Sequence, residues 1–191
     1  MATNVEDVQK LYVAYFSRPA DTAGLNFWTN VLATDHNTGM QQISQAFSQS
    51  EEYRLNYANL DNRAVVEAVY HNLFGRAGET AGIDFWTNAM NNGAVTVDNV
   101  VQAFASGAQN DDKIVFAGRV AVATSFTNHL DLPNEQVAYS GNAANQIAKS
   151  FIGSIINLQT AASAIDPGVI DMKIAEIVGT PSGLEAQHFI V

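Results

Sequence analysis

The chain has 191 residues, a length that suits one good-sized domain or two small helical ones. It contains no cysteine, which excludes disulfides, thiolate nucleophiles and cysteine metal sites. Nine basic and 19 acidic residues give a formal net charge of -10, which opposes phosphate backbones, so nucleic acid is excluded as a partner. The first residues have neither the basic nor the apolar stretch of a cleavable signal peptide, and no segment is long enough to predict membrane insertion.

The first predicted elements are helices. Apolar residues follow a helical period through residues 5–16, and Pro19 then prevents that helix from continuing. Asp21 is a good N-cap for a second helix over about 22–32. The next predicted elements are a third helix that carries Met40, Ile43 and Phe47, and a short fourth helix that opens with Ser50, Glu51 and Glu52.

A repeat extends through these elements. The stretch AGLNFWTN at 23–30 returns as AGIDFWTN at 81–88, and residues 12–30 match residues 70–88 at 10 of 19 positions. The period is 58 residues at first and 57 after a one-residue gap. Residues 1–110 are therefore predicted to form two tandem helical units. The second unit has its helices near 62–74, 80–91 and 97–105.

The remaining residues, 111–191, are predicted to form a C-terminal helical region that packs on the repeats as one globular unit. One long helix ends before Pro133, Asn134 caps a short helix, and an apolar helix carries isoleucines from Ile147 to Ile156. The last helix has Asp166 as N-cap, Pro167 at its first position and Gly179 after its end. No segment alternates long enough to predict a strand, so the predicted fold class is all-α.

The motifs of common catalytic sites are absent from the sequence. The four histidines lack metal-ligand spacing, and there is neither a glycine-rich phosphate loop nor a nucleophile elbow. We therefore predict that the chain is not an enzyme. The loop 35–39 has only two of the oxygen ligands of an EF-hand, which favours a solvated loop. Calcium bound by carboxylates from distant segments stays open as an alternative.

Each repeated residue has a structural and a functional interpretation. Trp28 and Trp86 could be sugar-stacking platforms, but they share a helix stripe with neighbouring apolar residues, which favours packing. The arginines could grip an anion, but each lies near the following acidic cap, which favours a turn-locking role. We expect the glycines to let a helix start lie close to its neighbour, and the phenylalanines and tryptophans to fill the space beneath. The predicted structural residues are Trp28, Trp86, Phe27, Phe85, Gly24, Gly82, Arg18, Arg76 and Asp21.

The stretch LYVAYFSRPADTAGLNFWTNVL, followed by ISQAFSQSEEY, resembles a repeat domain of unknown function found in large bacterial secreted and surface-layer proteins. The usual form is an aromatic helix, then G-R-x-P-D-x-x-G-L-x-x-W, then a helix ending F-x-x-S-x-E-F or -Y. The first copy has Ser17 in place of the usual glycine. The second copy has Gly75 there, but Ala77 replaces the proline.

The resemblance implies a location and a partner. Such proteins leave the cell by type I secretion, whose signal is C-terminal, and reach the cell surface as an S-layer. Their N-terminal helical domain anchors a self-associating lattice by binding lipopolysaccharide O-polysaccharide, with calcium involved. The chain is thus expected to be the N-terminal attachment part of a longer extracellular protein, with spare tyrosines such as Tyr53, Tyr57 and Tyr139 available to a sugar. No ligand residue of the family maps onto a motif in this sequence.

Two alternatives belong to other classes. The repeat distantly resembles the helical linker domains of phycobilisomes, the cyanobacterial light-harvesting antennae, which implies a protein assembly module that uses an exposed apolar helix face. An enzyme acting on surface polysaccharide would instead require two carboxylates from distant segments facing one cleft.

Overall fold

The computed structural model describes residues 3–57, 59–181 and 183–184. Within these ranges the chain forms twelve helices and no strand, which confirms the all-α prediction. The end of the predicted C-terminal region, residues 185–191 with His188, lies outside the described residues. The helices are α1 (Asn4–Phe16), α2 (Thr22–Thr34), α3 (His36–Ser48), α4 (Glu51–Tyr57), α5 (Asn62–Phe74), α6 (Thr80–Asn91), α7 (Val97–Gly107), α8 (Asn110–His129), α9 (Pro133–Ala138), α10 (Gly141–Gly153), α11 (Leu158–Ala164) and α12 (Pro167–Val178).

Side-chain caps fix most of the predicted helix starts. The Asp21 carboxylate accepts a hydrogen bond from the Gly24 backbone N–H at 2.7 Å, and so begins α2 where the sequence predicts it. Asp61 caps α5 in the same way, with its carboxylate 2.8 Å from the Ala64 N–H. The Asp166 cap, Pro167 and Gly179 bound α12 as predicted.

Three details differ from the prediction. Helix α3 already begins at His36, because the Asp35 carboxylate accepts hydrogen bonds from the next turn. The predicted N-cap of the short helix, Asn134, lies inside α9, whose first residue is Pro133. Helix α10 ends at Gly153, so the isoleucines after it belong to a turn, and α11 follows as an additional helix.

The core lies where both repeats meet the long helix α8. Helices α1 and α5, the first helices of the two repeats, pack on each other, and α8 lies against both. Helices α11 and α12 also pack on α8, and α9 and α10 pack on α12. The buried residues of these helices form one hydrophobic cluster. The repeats and the C-terminal helices therefore share one core.

A buried arginine joins three parts of this core. Arg119 of α8 is fully buried, and its guanidinium donates hydrogen bonds to four backbone carbonyl oxygens. Two of these carbonyls, those of His71 and Asn72, belong to the last turn of α5. The third belongs to Gly153, the last residue of α10, and the fourth to Ile155, which follows that helix. The four distances range from 2.6 to 3.2 Å. Burial lowers the pKa of Arg119 to about 10, which still leaves the side chain charged at neutral pH. The partial negative charge at the helix C-termini compensates this cation.

Candidate functional site

The repeated tryptophans pack inward. Trp28 and Trp86 are half-buried and lie against the core. The Trp28 ring meets the Phe47 ring edge-on with centroids 5.9 Å apart, and Trp86 meets Phe104 in the same way at 5.8 Å. Each repeat thus builds the same aromatic contact between its second and third helices.

The repeated phenylalanines do not fill the space beneath the helix as expected. Phe27 is 60% exposed and Phe85 is 64% exposed. Each ring lies edge-on to the neighbouring tryptophan, with centroids 4.7 Å apart in the first repeat and 5.1 Å in the second. The prediction of a packing role was wrong for these two residues, because they follow Leu25 and Ile83 by two positions and so point away from the buried stripe.

Polar and small residues surround both exposed rings. Asn30 follows Phe27 by three residues and Asn88 follows Phe85 by three, so each amide lies on the same helix face as the ring. All four of these residues are exposed, and so are the alanines one turn before the rings. We call Phe27 with Asn30 the first aromatic platform, and Phe85 with Asn88 the second.

The repeated glycines differ between the copies. A Cβ atom on Gly24 would come within 2.3 Å of the Tyr12 hydroxyl oxygen, so a larger residue there would require the Tyr12 side chain to move. A Cβ atom on Gly82 would meet no heavy atom within 4 Å. The predicted close approach therefore holds for Gly24 and is wrong for Gly82.

Each repeated arginine forms an ion pair with a helix further along the chain. Arg18 donates through Nε and Nη2 to the two carboxylate oxygens of Glu52 at 2.9 and 2.6 Å, and its Nη1 donates to the Pro19 carbonyl at 3.0 Å. The Arg18 guanidinium also lies 5.2 Å from the centre of the Tyr12 ring. The predicted turn-locking role fits this geometry, but the partner is Glu52 of α4 and not the N-cap Asp21.

The second repeat reproduces this geometry. Arg76 donates through Nε and Nη2 to Asp112 at 2.8 and 2.7 Å and through Nη1 to the Ala77 carbonyl at 3.0 Å, and it lies 5.2 Å from the Tyr70 ring centre. Arg76 also pairs with Glu79 at 2.8 Å, as the sequence predicts. We call the two constellations the Arg18 cluster and the Arg76 cluster.

The two clusters differ in what covers them. Tyr139, at the end of α9, lies over the Arg18 guanidinium with its ring centre 5.8 Å from Cζ, and its hydroxyl donates to the Pro19 carbonyl at 2.8 Å. The Arg18 side chain is consequently only 10% exposed. The Arg76 side chain is 44% exposed and lines an open cleft of about 580 Å³. Asn110, on the wall of this cleft, has a positive φ of 48°.

The open cleft contains the two carboxylates that an enzyme would require. Glu79 and Asp112 both line it, but both accept hydrogen bonds from Arg76, and the Tyr70 hydroxyl lies within hydrogen-bond distance of both and can donate to either. A hydrogen bond from its own backbone N–H, and then the Arg76 guanidinium, lower the pKa of the Glu79 carboxyl. A general acid needs a raised pKa, which Glu79 does not have, and both carboxylates are arranged as ion-pair partners of Arg76.

Two of the tyrosines proposed as sugar contacts are buried. The Tyr57 hydroxyl donates to the Tyr15 carbonyl, and the Tyr139 hydroxyl donates to Pro19. Tyr53 is half-buried and stacks on Tyr57 with ring centres 4.5 Å apart. The expectation of spare tyrosines was therefore wrong for Tyr57 and Tyr139.

The prediction of a solvated loop over 35–39 was wrong, because residues 36–39 form the first turn of α3 and Asp35 caps that helix. The Asp35 carboxylate accepts hydrogen bonds from Asn37 N–H and from the hydroxyl of Thr38, and these bonds lower its pKa. Among the described residues, no group of three or more histidine, aspartate or glutamate side chains could hold a metal ion. In the same part of the chain, no helix is both long enough and apolar enough to cross a membrane.

The fold and its duplicated sites define an all-helical protein in which two copies of one repeat are followed by non-repeated C-terminal helices. The chain belongs to the family described as "Domain of unknown function (DUF4214)", which matches residues 2–57 and 44–114 and so extends over more than half of the 191 residues. Neither a curated protein nor a solved structure matched the chain. The family assignment agrees with the repeat domain that the sequence motifs resemble.

Proposed function

We propose that this chain is a non-catalytic attachment module of the bacterial cell surface that binds lipopolysaccharide O-polysaccharide through its two aromatic platforms. The observation that carries the proposal is the exposed phenylalanine at the same position in both repeats, with an exposed asparagine on the same helix face. In this proposal the chain is the N-terminal part of an S-layer or other type I secreted protein.

The chemistry of the platforms suits a sugar. The face of an aromatic ring carries partial negative charge and attracts the slightly positive C–H groups on one face of a pyranose. The amides of Asn30 and Asn88 can both donate hydrogen bonds to hydroxyl groups and accept hydrogen bonds from them. The exposed ring is present at the same position in both copies of the repeat, and this favours a binding role.

Duplication suits a polymer with a repeating unit. One shallow platform binds weakly, because it buries little of the ligand. Two platforms on one rigid body can engage two units of the same polysaccharide chain, and the second contact then forms at a high effective concentration. Attachment of this kind needs no catalytic group, in keeping with the ion-paired carboxylates of the cleft.

The test is retention of the purified protein on lipopolysaccharide from its own source organism, with calcium and with a chelator. Phe27→Ala and Phe85→Ala should each weaken binding about tenfold, which corresponds to about 1.4 kcal/mol. The double variant should bind no better than an unrelated protein. Both side chains are exposed, so the free energy of unfolding should change by no more than about 0.5 kcal/mol.

Leu55→Ala is the matched control, because Leu55 is 77% exposed and is not aromatic. It should leave retention unchanged. Binding of the double variant at wild-type strength, or no retention of the wild-type protein with or without calcium, would contradict the proposal.

The alternative function, a helical assembly module comparable to phycobilisome linker domains, draws on a different observation. The cleft beside Arg76 is open where the equivalent site of the first repeat is covered by a helix end. Stoichiometric co-purification of a protein partner through this cleft, with no affinity for polysaccharide, would favour the alternative.

A further inference from the structure

In the first repeat Tyr139 covers the Arg18 cluster, whereas no described residue covers the Arg76 cluster of the second repeat in this way. We propose that the Arg76 cluster binds a tyrosine side chain of another polypeptide, presented at the C-terminal end of a short helix as α9 presents Tyr139. This interaction is separate from the polysaccharide proposal, because neither aromatic platform takes part in it.

The second repeat has a carbonyl acceptor equivalent to the one that Tyr139 uses in the first repeat. Tyr139 makes its hydrogen bond to the Pro19 carbonyl, which also accepts from Arg18 Nη1 at 3.0 Å. In the second repeat the Ala77 carbonyl accepts from Arg76 Nη1 at the same distance. A carbonyl oxygen has two lone pairs, so Ala77 can accept a further bond from a tyrosine hydroxyl.

The second repeat also has the contact between the arginine and the first of the two tyrosine rings. The Arg18 guanidinium lies between two tyrosines, with the Tyr12 ring centre at 5.2 Å and the Tyr139 ring centre at 5.8 Å. The Arg76 guanidinium has Tyr70 at 5.2 Å and opens to the cleft. A second aromatic ring over Arg76 would complete the same cation–π arrangement.

Charge adds a second requirement for the partner. In the first repeat, Lys149 of α10 places its Nζ 3.7 Å from a Glu52 carboxylate oxygen, beside the Tyr139 contact. The second cleft is lined by Arg76 against the three acidic residues Glu79, Asp111 and Asp112. The partner should therefore carry a basic residue in the helix after its tyrosine.

A second copy of the chain does not supply the tyrosine. All six tyrosines belong to the described residues, and each is buried or half-buried in the fold. Tyr53, the half-buried one, stacks on Tyr57 and lies against Tyr15. The occupant is thus a different polypeptide.

The experiment uses a synthetic peptide with the sequence of residues 131–150, which carries Tyr139 and Lys149, with a side-chain lactam that holds only the α9 segment helical. The peptide is added to the intact isotope-labelled protein, and the Arg76 Nε–H resonance is followed by NMR. We expect this resonance to shift with a dissociation constant of about 1 mM or tighter. A tyrosine-to-phenylalanine peptide should bind about fivefold more weakly, because it lacks the hydroxyl donor.

Two controls define the site. A tyrosine-to-alanine peptide should cause no Arg76 shift. Arg76→Gln, followed through the backbone amide resonances of the cleft, should abolish binding of the parent peptide, whereas the exposed Arg63→Gln should not. Absence of an Arg76 shift with the parent peptide, or an equal shift with the alanine peptide, would overturn the proposal. An Arg76 shift caused by O-polysaccharide and not by the peptide would assign the cleft to the glycan and overturn it as well.

Discussion

At the scale of single residues, Arg119 of α8 is a charged side chain that joins the end of α5 to the end of α10. It is buried and donates hydrogen bonds to four backbone carbonyls at or just beyond the ends of two helices. The sequence places it in an apolar stretch of α8, where a lone arginine resembles a surface residue of an amphipathic helix. Its role depends on carbonyls 34 to 48 residues away, which no local pattern predicts.

Arg119→Met should therefore destabilise the fold by about 3–5 kcal/mol, since the buried carbonyls lose their only cation. The free energy of unfolding from urea denaturation measures this. Arg63→Met, at an exposed ion pair that solvent screens, should have little effect on the free energy of unfolding. Equal effects of the two substitutions would show that the four hydrogen bonds of Arg119 do not matter.

The exposure of Phe27 and Phe85 could have been predicted from the sequence. A helix turns by about 100° per residue, so a residue two positions after Leu25 lies about 200° from it. Trp28 and Leu32 stay near the Leu25 face, whereas Phe27 falls on the far side. Apolar character alone suggested burial, but helix geometry predicts exposure.

At the scale of elements, the end of the first helix in each repeat determines how the turn to the second helix is made. Ser17 and Gly75 occupy the same position and both adopt left-handed backbone conformations, with φ of 55° and 72°. Glycine adopts this conformation without strain, whereas serine does not. A Cβ atom at Gly75 would also come within 2.6 Å of an Arg119 nitrogen.

Exchange of these residues should have opposite effects. Ser17→Gly should stabilise the protein by about 0.5–1 kcal/mol, because it relieves the strain of a positive φ. Gly75→Ser should destabilise it by more than about 1 kcal/mol, because strain and the contact with Arg119 add. Thermal unfolding of both variants tests this, and stabilisation by Gly75→Ser would contradict the account.

Three helices with aspartate caps began where the sequence predicts. Asp21, Asp61 and Asp166 each begin a helix within the local sequence, so α2, α5 and α12 start as predicted. Helix α11 was missed because Leu158 and Ile156, at its start, are exposed and form no apolar stripe. The clusters of Arg18 and Arg76 could be predicted only in part, since their carboxylate partners lie 34 and 36 residues away.

At the scale of the whole molecule, duplication followed by divergence explains the arrangement of sites. Both repeats keep the aromatic platform and the arginine cluster, but α9 covers only the first cluster. The C-terminal helices thus complete the core and also make the two halves unequal. The platforms remain equal and exposed.

Ionisation of the tyrosines should lower the free energy of unfolding at alkaline pH. Burial raises the pKa of Tyr53 and Tyr139 to about 12, and it also raises the pKa of Tyr12, Tyr57 and Tyr70. Tyrosines in the unfolded chain ionise near pH 10, so above about pH 10 the unfolded state loses protons that the folded state retains. The stability contributed by these groups is complete below pH 10 and is lost as the pH rises toward 12.

The unfolding temperature should therefore fall steeply between about pH 10 and pH 12, together with the rise in tyrosinate absorbance. Tyr53→Phe should make this fall shallower, because it removes one of the titrating groups. Complete tyrosinate formation near pH 10 in a protein that stays folded would contradict the expected burial.

The central claim is that each repeat carries one equal polysaccharide platform. The most direct measurement is calorimetric titration with an O-polysaccharide fragment too short to span both platforms. The account predicts two equivalent sites per chain, one site in Phe27→Ala and in Phe85→Ala, and none in the double variant. A single site that survives both substitutions, or no binding by the wild-type protein, would contradict it.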